Sequence, residues 1–93
     1  MIGLPLPTYF KMAGFENTAT GGNHSAWVKE FPNNYVMVSQ NYSADITPEG
    51  MAEFGITVGV YDDFGNEYYH AQMYSLDDMP AHLVLAIVAA MDN

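Results

Sequence analysis

Residues 56–74 read ITVGVYDDFGNEYYHAQMY, and this stretch decides the fold because its residue pattern and its turn residues agree on one hairpin. Apolar residues alternate with small or polar residues on both sides of a central Asp-Asp-Phe-Gly-Asn-Glu segment, which predicts two half-buried strands. A four-residue loop at 63–66 places three apolar pairs on one face: Ile56/Met73, Val58/Ala71 and Val60/Tyr69. The other face then carries Thr57/Gln72, Gly59/His70 and Tyr61/Tyr68. A shorter loop would move an apolar set to the wrong face, so we predict the first register.

A second hairpin is predicted upstream, over residues 24–41. Its centre, Pro32-Asn33-Asn34, suits a three-residue loop, because proline favours the first turn position and asparagine tolerates a left-handed backbone. The pairs on one face are then Val28/Val38 and Glu30/Val36. The opposite face receives Trp27, Phe31, Tyr35 and Met37.

A helix is predicted near each end of the chain. The first runs from Thr8 to Ala13, before Gly14 at the left-handed C′ position. The second begins after Asp78, with Pro80 in its first turn, and runs to about Met91. Residues 17–23 have no periodicity and are predicted as a loop.

We therefore expect an α+β fold: a four-stranded antiparallel sheet of two β-hairpins, with a short N-terminal helix and a C-terminal helix packed on one face. The length of 93 residues predicts a single domain, 1–93. The expected core residues are Val28, Val36, Val38, Ile56, Val58, Val60, Ala71, Met73, Leu83, Ile87 and Ala90.

Composition indicates the cellular compartment and limits the classes of partner. The chain has no cysteine, no signal-peptide pattern and no apolar run of the roughly 20 residues that a membrane span needs, so we expect a cytoplasmic protein. Eleven acidic residues against two lysines give a net charge of -9, which disfavours direct binding to nucleic acid or to an anionic membrane. The charge allows a basic protein partner.

No motif in the sequence predicts catalysis, a metal site or a cofactor. The histidines, His24, His70 and His82, lack metal-ligand spacing, and no serine lies in a nucleophile motif. Residues 62–67 resemble a calcium loop in composition only, because strands flank them instead of helices. We expect a protein that is not an enzyme, with no catalytic residues, no metal ligands and no cofactor.

Two surfaces are candidates for interactions. Aromatic residues are enriched in binding surfaces, and those predicted on the sheet face away from the core form the first candidate: Trp27, Phe31, Tyr35, Tyr61, Tyr68, His70 and Tyr74. The alternative is that the N-terminal helix and a long loop cover this face. The second candidate is the outer side of the C-terminal helix, which has no polar stripe between residues 83 and 91 and whose candidate oligomer contacts are Leu85, Val88 and Ala89. The alternative there is that the N-terminal segment encloses the helix.

The segments GFENT (14–18), TGGNHSAW (20–27), the Pro-Asn-Asn turn and VGVYDDFGNE (58–67) resemble small accessory proteins of bacteriophages and prophages. The resemblance covers most of the chain and transfers no catalytic motif. It implies an accessory protein that acts in the host cytoplasm by binding a host or defence protein. The scarcity of Lys and Arg departs from most such proteins.

The functional prediction is a non-enzymatic protein-interaction module that binds a protein partner or itself as a homodimer. One alternative is a small-ligand-binding protein or weak enzyme centred on His70, Tyr61 and Tyr68 beside Gly59. Another is an acidic inhibitor of a nucleic-acid-binding protein, which requires the acidic residues to line one face.

Overall fold

The computed structural model describes residues 5–92, which form one antiparallel sheet and two helices. The strands pair in chain order, β1-β2-β3-β4-β5, so each lies beside the strand that precedes it. The elements are α1 (Leu6–Met12), β1 (Glu16–Gly21), β2 (His24–Glu30), β3 (Tyr35–Ser39), β4 (Ile56–Tyr61), β5 (Glu67–Met73) and α2 (Met79–Met91), with a short 3₁₀ turn (Leu76–Asp78) before α2.

The predicted register between β4 and β5 is confirmed for every pair except the one next to the turn. Ile56 lies opposite Met73, Val58 opposite Ala71 and Gly59 opposite His70. Next to the turn, the predicted Tyr61/Tyr68 pair is replaced by Tyr61 opposite Glu67, and Tyr68 is the extra residue of a bulge.

The sheet has five strands, so the prediction of four strands is wrong. The additional strand is β1, which pairs with β2 over a segment that the sequence pattern assigned to a loop. Every residue of β1 is exposed, so no buried face imposes an alternation of apolar and polar residues on it. Its strand conformation comes from backbone hydrogen bonds to β2 at the sheet edge.

The predicted register between β2 and β3 is wrong by one residue. Trp27 lies opposite Val38 and Lys29 opposite Val36, because the loop has four residues and the Phe31 N–H donates to the Asn34 carbonyl at 2.8 Å. A shift of one residue exchanges the faces of a strand. Trp27 therefore lies on the core face, and Val28, predicted in the core, lies on the opposite face.

Trp27 is the contact through which α1 joins the core. The ring of Phe10 from α1 stacks on the indole at 5.2 Å, and the indole N–H donates to the Ala44 carbonyl at 2.8 Å. At the end of α1, Gly14 has φ +90°, and the Phe15 N–H donates to the Phe10 carbonyl, as predicted for a glycine at C′.

Both helices pack on one face of the sheet, where α2 contacts β3, β4 and β5. The core contains most of the predicted residues, Met73 among them, together with aromatic and methionine side chains that the pattern did not assign: Phe10, Phe15, Trp27, Met51 and Met79. Ala71 and Ile87, predicted in the core, are partly buried against it. Within residues 5–92, no helix has the length and apolar composition of a membrane span.

Candidate functional site: the open sheet face

The sheet face opposite the two helices is not covered by any described helix, and we call it the open sheet face. Residues directly opposite each other on paired strands share a face. Val28, Met37, Gly59 and His70 therefore form one row across β2, β3, β4 and β5. The neighbouring rows contain Tyr35 with Tyr61, and Ser39 with Thr57 and Gln72.

A groove of about 480 Å³ crosses the β3, β4 and β5 part of this face, and we call it the main groove. Its volume lies within the range of about 300–1,000 Å³ that is typical of ligand sites. Aromatic side chains, hydroxyl and amide groups and one carboxylate line it, among them Tyr42, Phe54, Tyr61, His70, Gln72 and Glu53.

The floor of the main groove depends on Gly59. The Tyr61 phenol lies across this glycine so closely that a side chain at position 59 would collide with its hydroxyl. Burial raises the pKa of Tyr61, and the neighbouring Glu67 carboxylate raises it further, so the phenol stays protonated at neutral pH. Tyr61 therefore presents a neutral ring and hydroxyl to the groove.

One rim of the main groove is a two-residue turn at Asn41 and Tyr42, which have φ values of +50° and +62°. Non-glycine residues rarely adopt this left-handed backbone. The turn is closed by two backbone hydrogen bonds between Gln40 and Ser43 of 2.9 and 3.0 Å. The Tyr42 ring stacks on His24 with its centroid 5.1 Å away, so the exposed ring is held at the rim.

The opposite rim is held by the segment before β4. The Gln72 side-chain amide on β5 donates to the Phe54 carbonyl at 2.9 Å. The Phe54 and Gly55 N–H groups donate to the carbonyls of Gly50 and Met51, which closes helical turns. This bonding places the Phe54 and Glu53 side chains beside the sheet, where both line the main groove.

A second groove of about 430 Å³ covers the β1, β2 and β3 part of the open sheet face. It shares Met37 with the main groove, so the two grooves form a continuous surface. Glu30 and Asp63 line the second groove, and Glu53 lines the main groove. No lysine lines either groove. Lys29 is on the core face, where its ammonium group donates to the Ala13 carbonyl at 3.1 Å, and Lys11 lies on α1.

The structure brings together only some of the predicted interaction residues. Tyr35, Tyr61 and His70 lie on the open sheet face. Trp27 is 3% exposed and belongs to the core, because of the register described above. Phe31 lies in the β2–β3 turn and is partly buried against the core. Tyr74 follows β5 and is exposed beside Gly55.

Tyr68 belongs to the β4–β5 turn. Its hydroxyl donates to the Asp62 carboxylate at 2.7 Å, and the same carboxylate accepts bonds from the Phe64 and Asn66 N–H groups. These bonds lower the pKa of Asp62 from 3.8 to about 2, with the side chains of Asn66 and Tyr68 as the main causes. Tyr68 therefore stabilises the turn, and it does not line the groove that contains His70 and Tyr61.

The outer side of α2 forms a second exposed surface. Val84, Leu85, Val88 and Met91 are 60, 52, 49 and 69% exposed, so the N-terminal segment described here does not enclose the helix. Ala89, the third predicted oligomer contact, is partly buried against the core. We call the four exposed residues the α2 stripe.

Across residues 5–92, no group of three histidine or carboxylate side chains is placed to hold a metal ion. His82 is paired away from the grooves, since its Nδ1 and the Tyr69 hydroxyl are 2.8 Å apart. His70 has no hydrogen-bond partner among the described side chains that would orient it as a catalytic base.

Sequence signals for the site were incomplete. The β4–β5 register predicted the positions of Tyr61 and His70, whereas Tyr42, Phe54 and Glu53 come from a loop without periodicity. The pair Asn41-Tyr42 is not a typical left-handed turn sequence, because only its first residue favours that conformation.

A comparison of the chain with protein-family models, with curated proteins and with solved structures returned no significant match.

Proposed function

We propose that this protein is a non-enzymatic protein-interaction module whose open sheet face binds a basic segment of a protein partner. The observation that carries the proposal is a continuous surface of two grooves that is rich in aromatic residues, bordered by carboxylates and free of lysine. The resemblance to phage accessory proteins supports a host protein as the partner and the host cytoplasm as the place of action.

The composition of the surface supports this role. Protein-binding surfaces are enriched in tyrosine, phenylalanine and methionine and depleted of lysine. The open sheet face has Tyr35, Tyr61 and Met37 at its centre and Phe54 at its rim. These side chains are held by strands or by a hydrogen-bonded turn, so little conformational freedom is lost when a partner binds.

Charge supports a basic partner. The net charge of -9 raises the rate at which a positively charged protein meets this surface. Glu30, Asp63 and Glu53 lie along the grooves, where they face an incoming partner.

The size of the surface favours a segment over a large globular face. Five strands at about 4.8 Å spacing and about 20 Å in length give a face of roughly 20 by 20 Å. An extended or helical segment fits across such a face, with the rim residues adding contacts.

The test is a selection of peptides from a random displayed library on the immobilised protein. We expect enrichment of arginine- and lysine-containing peptides, with affinity that falls as salt rises because exposed charges are screened over about 8–10 Å. Binding should be lost in Glu30→Lys and in Met37→Lys. Asp77→Lys near α2 and Val84→Glu on the α2 stripe are the matched controls and should bind normally.

Selected peptides that bind Glu30→Lys and Asp77→Lys equally well would contradict the proposal, because the open sheet face would then contribute nothing. Enrichment of acidic or purely apolar peptides would contradict the basic character of the partner. We favour the interaction module over an acidic inhibitor of a nucleic-acid-binding protein, because Asp77, Asp78 and Asp92 flank α2 while Glu30, Asp63 and Glu53 line the grooves.

A second candidate function, homodimer formation, is favoured by the α2 stripe. Its four large apolar side chains are about half exposed or more, and no charged residue interrupts α2. Exposed apolar patches of this kind mark association sites. We propose that a second copy of the chain covers the stripe.

Light scattering across a tenfold dilution tests the dimer. Wild-type protein should have twice the monomer mass, and Leu85→Glu with Val88→Glu should give a folded monomer, because both side chains are exposed and their replacement costs little stability. Glu49→Lys, away from the stripe, is the control. A monomeric wild-type protein, or a dimer that persists in the double variant, contradicts this candidate.

A further inference from the structure

We propose that the main groove is a binding site for a single arginine side chain, which the partner of the open sheet face inserts between Tyr42, Phe54 and Tyr61 towards Glu53. This inference rests on the proposed function and deepens it by naming the chemical group that is recognised. It adds that recognition is local, in one groove, instead of spread over the acidic surface.

The main groove has room for one long side chain together with water. At about 480 Å³ it lies at the lower end of the size of ligand sites. Met37 lies at the border between this groove and the second groove, since it lines both. A side chain can enter while the partner's backbone passes over Met37.

Aromatic faces favour a cation in this groove. Tyr42, Phe54 and Tyr61 line it from the two rims and the floor. A cation over an aromatic face is attracted by the negative charge above and below the ring. The stacking of Tyr42 on His24, at 5.1 Å, holds one ring in place before a ligand arrives.

Charge disfavours an anionic ligand and supplies an acceptor for a cation. Glu53 lines the main groove, Glu67 adjoins Tyr61, and no lysine lines the groove. Ser39 and Thr57 hydroxyl groups also line the groove and accept hydrogen bonds.

Arginine fits these groups better than lysine does. A guanidinium group is planar, so it stacks on rings, and its five N–H donors point in a fixed fork that suits a carboxylate and hydroxyl groups together. An ammonium group is a strongly hydrated point charge without a flat face. The flat, mixed aromatic and oxygen lining therefore selects the guanidinium.

The experiment uses three capped tripeptides that differ in one side chain: Gly-Arg-Gly, Gly-Lys-Gly and Gly-citrulline-Gly. Each is titrated into the ¹⁵N-labelled full chain while amide shifts are followed. We expect the arginine peptide to shift Thr57, Gly59, His70 and Gln72. Citrulline has nearly the same shape without the charge and should bind at least about fivefold more weakly. The lysine peptide should also bind more weakly than the arginine peptide.

Two variants locate the site. Glu53→Gln should weaken arginine binding about two- to fivefold, as expected for an exposed charge pair, and Glu49→Gln, also in the loop before β4, should leave it unchanged. Tyr42→Phe should keep the affinity, and Tyr42→Ala should reduce it about two- to fivefold. The dispersion of the amide spectrum verifies that each variant is folded.

Equal affinities for arginine and lysine would overturn the assignment of a guanidinium site. Shifts spread over the acidic residues around α2, or an absence of shifts in the groove, would overturn the site itself. In both cases the proposed function survives if selected basic peptides still lose binding in Met37→Lys. If no basic peptide is selected while the arginine tripeptide still shifts the groove, the proposed function fails and the groove remains an arginine site.

Discussion

The Asp62 carboxylate is the residue on which the β4–β5 turn depends. One of its oxygens accepts bonds from the Phe64 and Asn66 N–H groups, and the other from the Asn66 amide and the Tyr68 hydroxyl. All four donors lie within six residues of Asp62, so one ionised side chain satisfies four donor groups of the turn. The geometry of this turn sets the register that places Tyr61 and His70 on the open sheet face.

Asp62→Asn should destabilise the protein at neutral pH, because the new amide nitrogen would face two donor groups. The folded pKa of Asp62, about 2, is below its ordinary value of 3.8, so ionised Asp62 adds stability above about pH 4. That contribution is lost as the pH falls from about 4 through about 2. The measurement is the urea midpoint of both proteins at several pH values.

The difference between wild type and Asp62→Asn should therefore shrink as the pH falls and nearly vanish near pH 2. Asp63→Asn is the control, since its exposed side chain lies in the same turn and should change the midpoint little. A constant difference across this range would mean that the Asp62 charge does not stabilise the turn.

At the scale of elements, the most buried contact of α1 with the core is one aromatic side chain. Phe10 is fully buried between Trp27 and Phe15, with ring centroids 5.2 and 5.8 Å away. A polar contact joins the same helix to the sheet: Lys29 donates to the Ala13 carbonyl at the end of the helix. A seven-residue helix is too short to be stable alone, so its position depends on these contacts.

Phe10→Ala should lower the free energy of unfolding by about 3–5 kcal/mol, as expected for removing a buried aromatic ring. Met12→Ala on the exposed side of α1 should cost less than about 0.5 kcal/mol. Urea unfolding followed by Trp27 fluorescence measures both. The native emission of Phe10→Ala should also shift to the red, because water gains access to the indole. Equal costs for the two variants would contradict the docking of α1 on Trp27.

The edge strand β1 is held on one side only. Its six residues are all exposed, and among the strands of residues 5–92 it pairs with β2 alone. Segments with few buried contacts open at lower free energies than the core does. Amide hydrogen exchange in β1 should therefore be at least about tenfold faster than in β3, which corresponds to about 1.4 kcal/mol. Equal protection of β1 and β3 would indicate that something covers this edge.

The whole molecule has a strong excess of negative charge. The chain has eleven acidic residues and two lysines, and the ammonium group of one lysine donates to a carbonyl at the end of α1. Like charges at this density repel one another in the compact state. The same negative charge that attracts a basic partner therefore opposes folding.

Moderate salt should stabilise the protein. Sodium chloride between about 0.01 and 0.3 M shortens the Debye length from about 30 Å to less than 8 Å and screens the repulsion. We expect a gain of about 1 kcal/mol, which for a domain of this size raises Tm by about 4–8 °C. Thermal unfolding followed by circular dichroism measures the shift. A Tm that falls with salt would show that attractive charge pairs outweigh the repulsion.

The sequence by itself determined the β4–β5 hairpin, the C-terminal end of α1 and both ends of α2, whereas α1 begins at Leu6, two residues before the predicted Thr8. Local chemistry is sufficient in these segments: the period of two, the Asp-Gly-Asn turn residues and Gly14 at the helix end each act within a few residues. Tyr61 and His70 could be placed on the open sheet face for this reason.

Only the tertiary structure decided β1, the β2–β3 register and the rims of the main groove. β1 buries no side chain, so its sequence has no pattern to detect. Both faces of β2 and β3 have apolar residues, so either register was compatible with the pattern, and the stacking of Phe10 on Trp27 shows which face is buried. Tyr42 and Phe54 reach the groove through bonds to Ser25 and Gln72, residues 17 or more positions away in the chain. Such contacts form only when distant segments meet, and a single sequence carries no local signal for them.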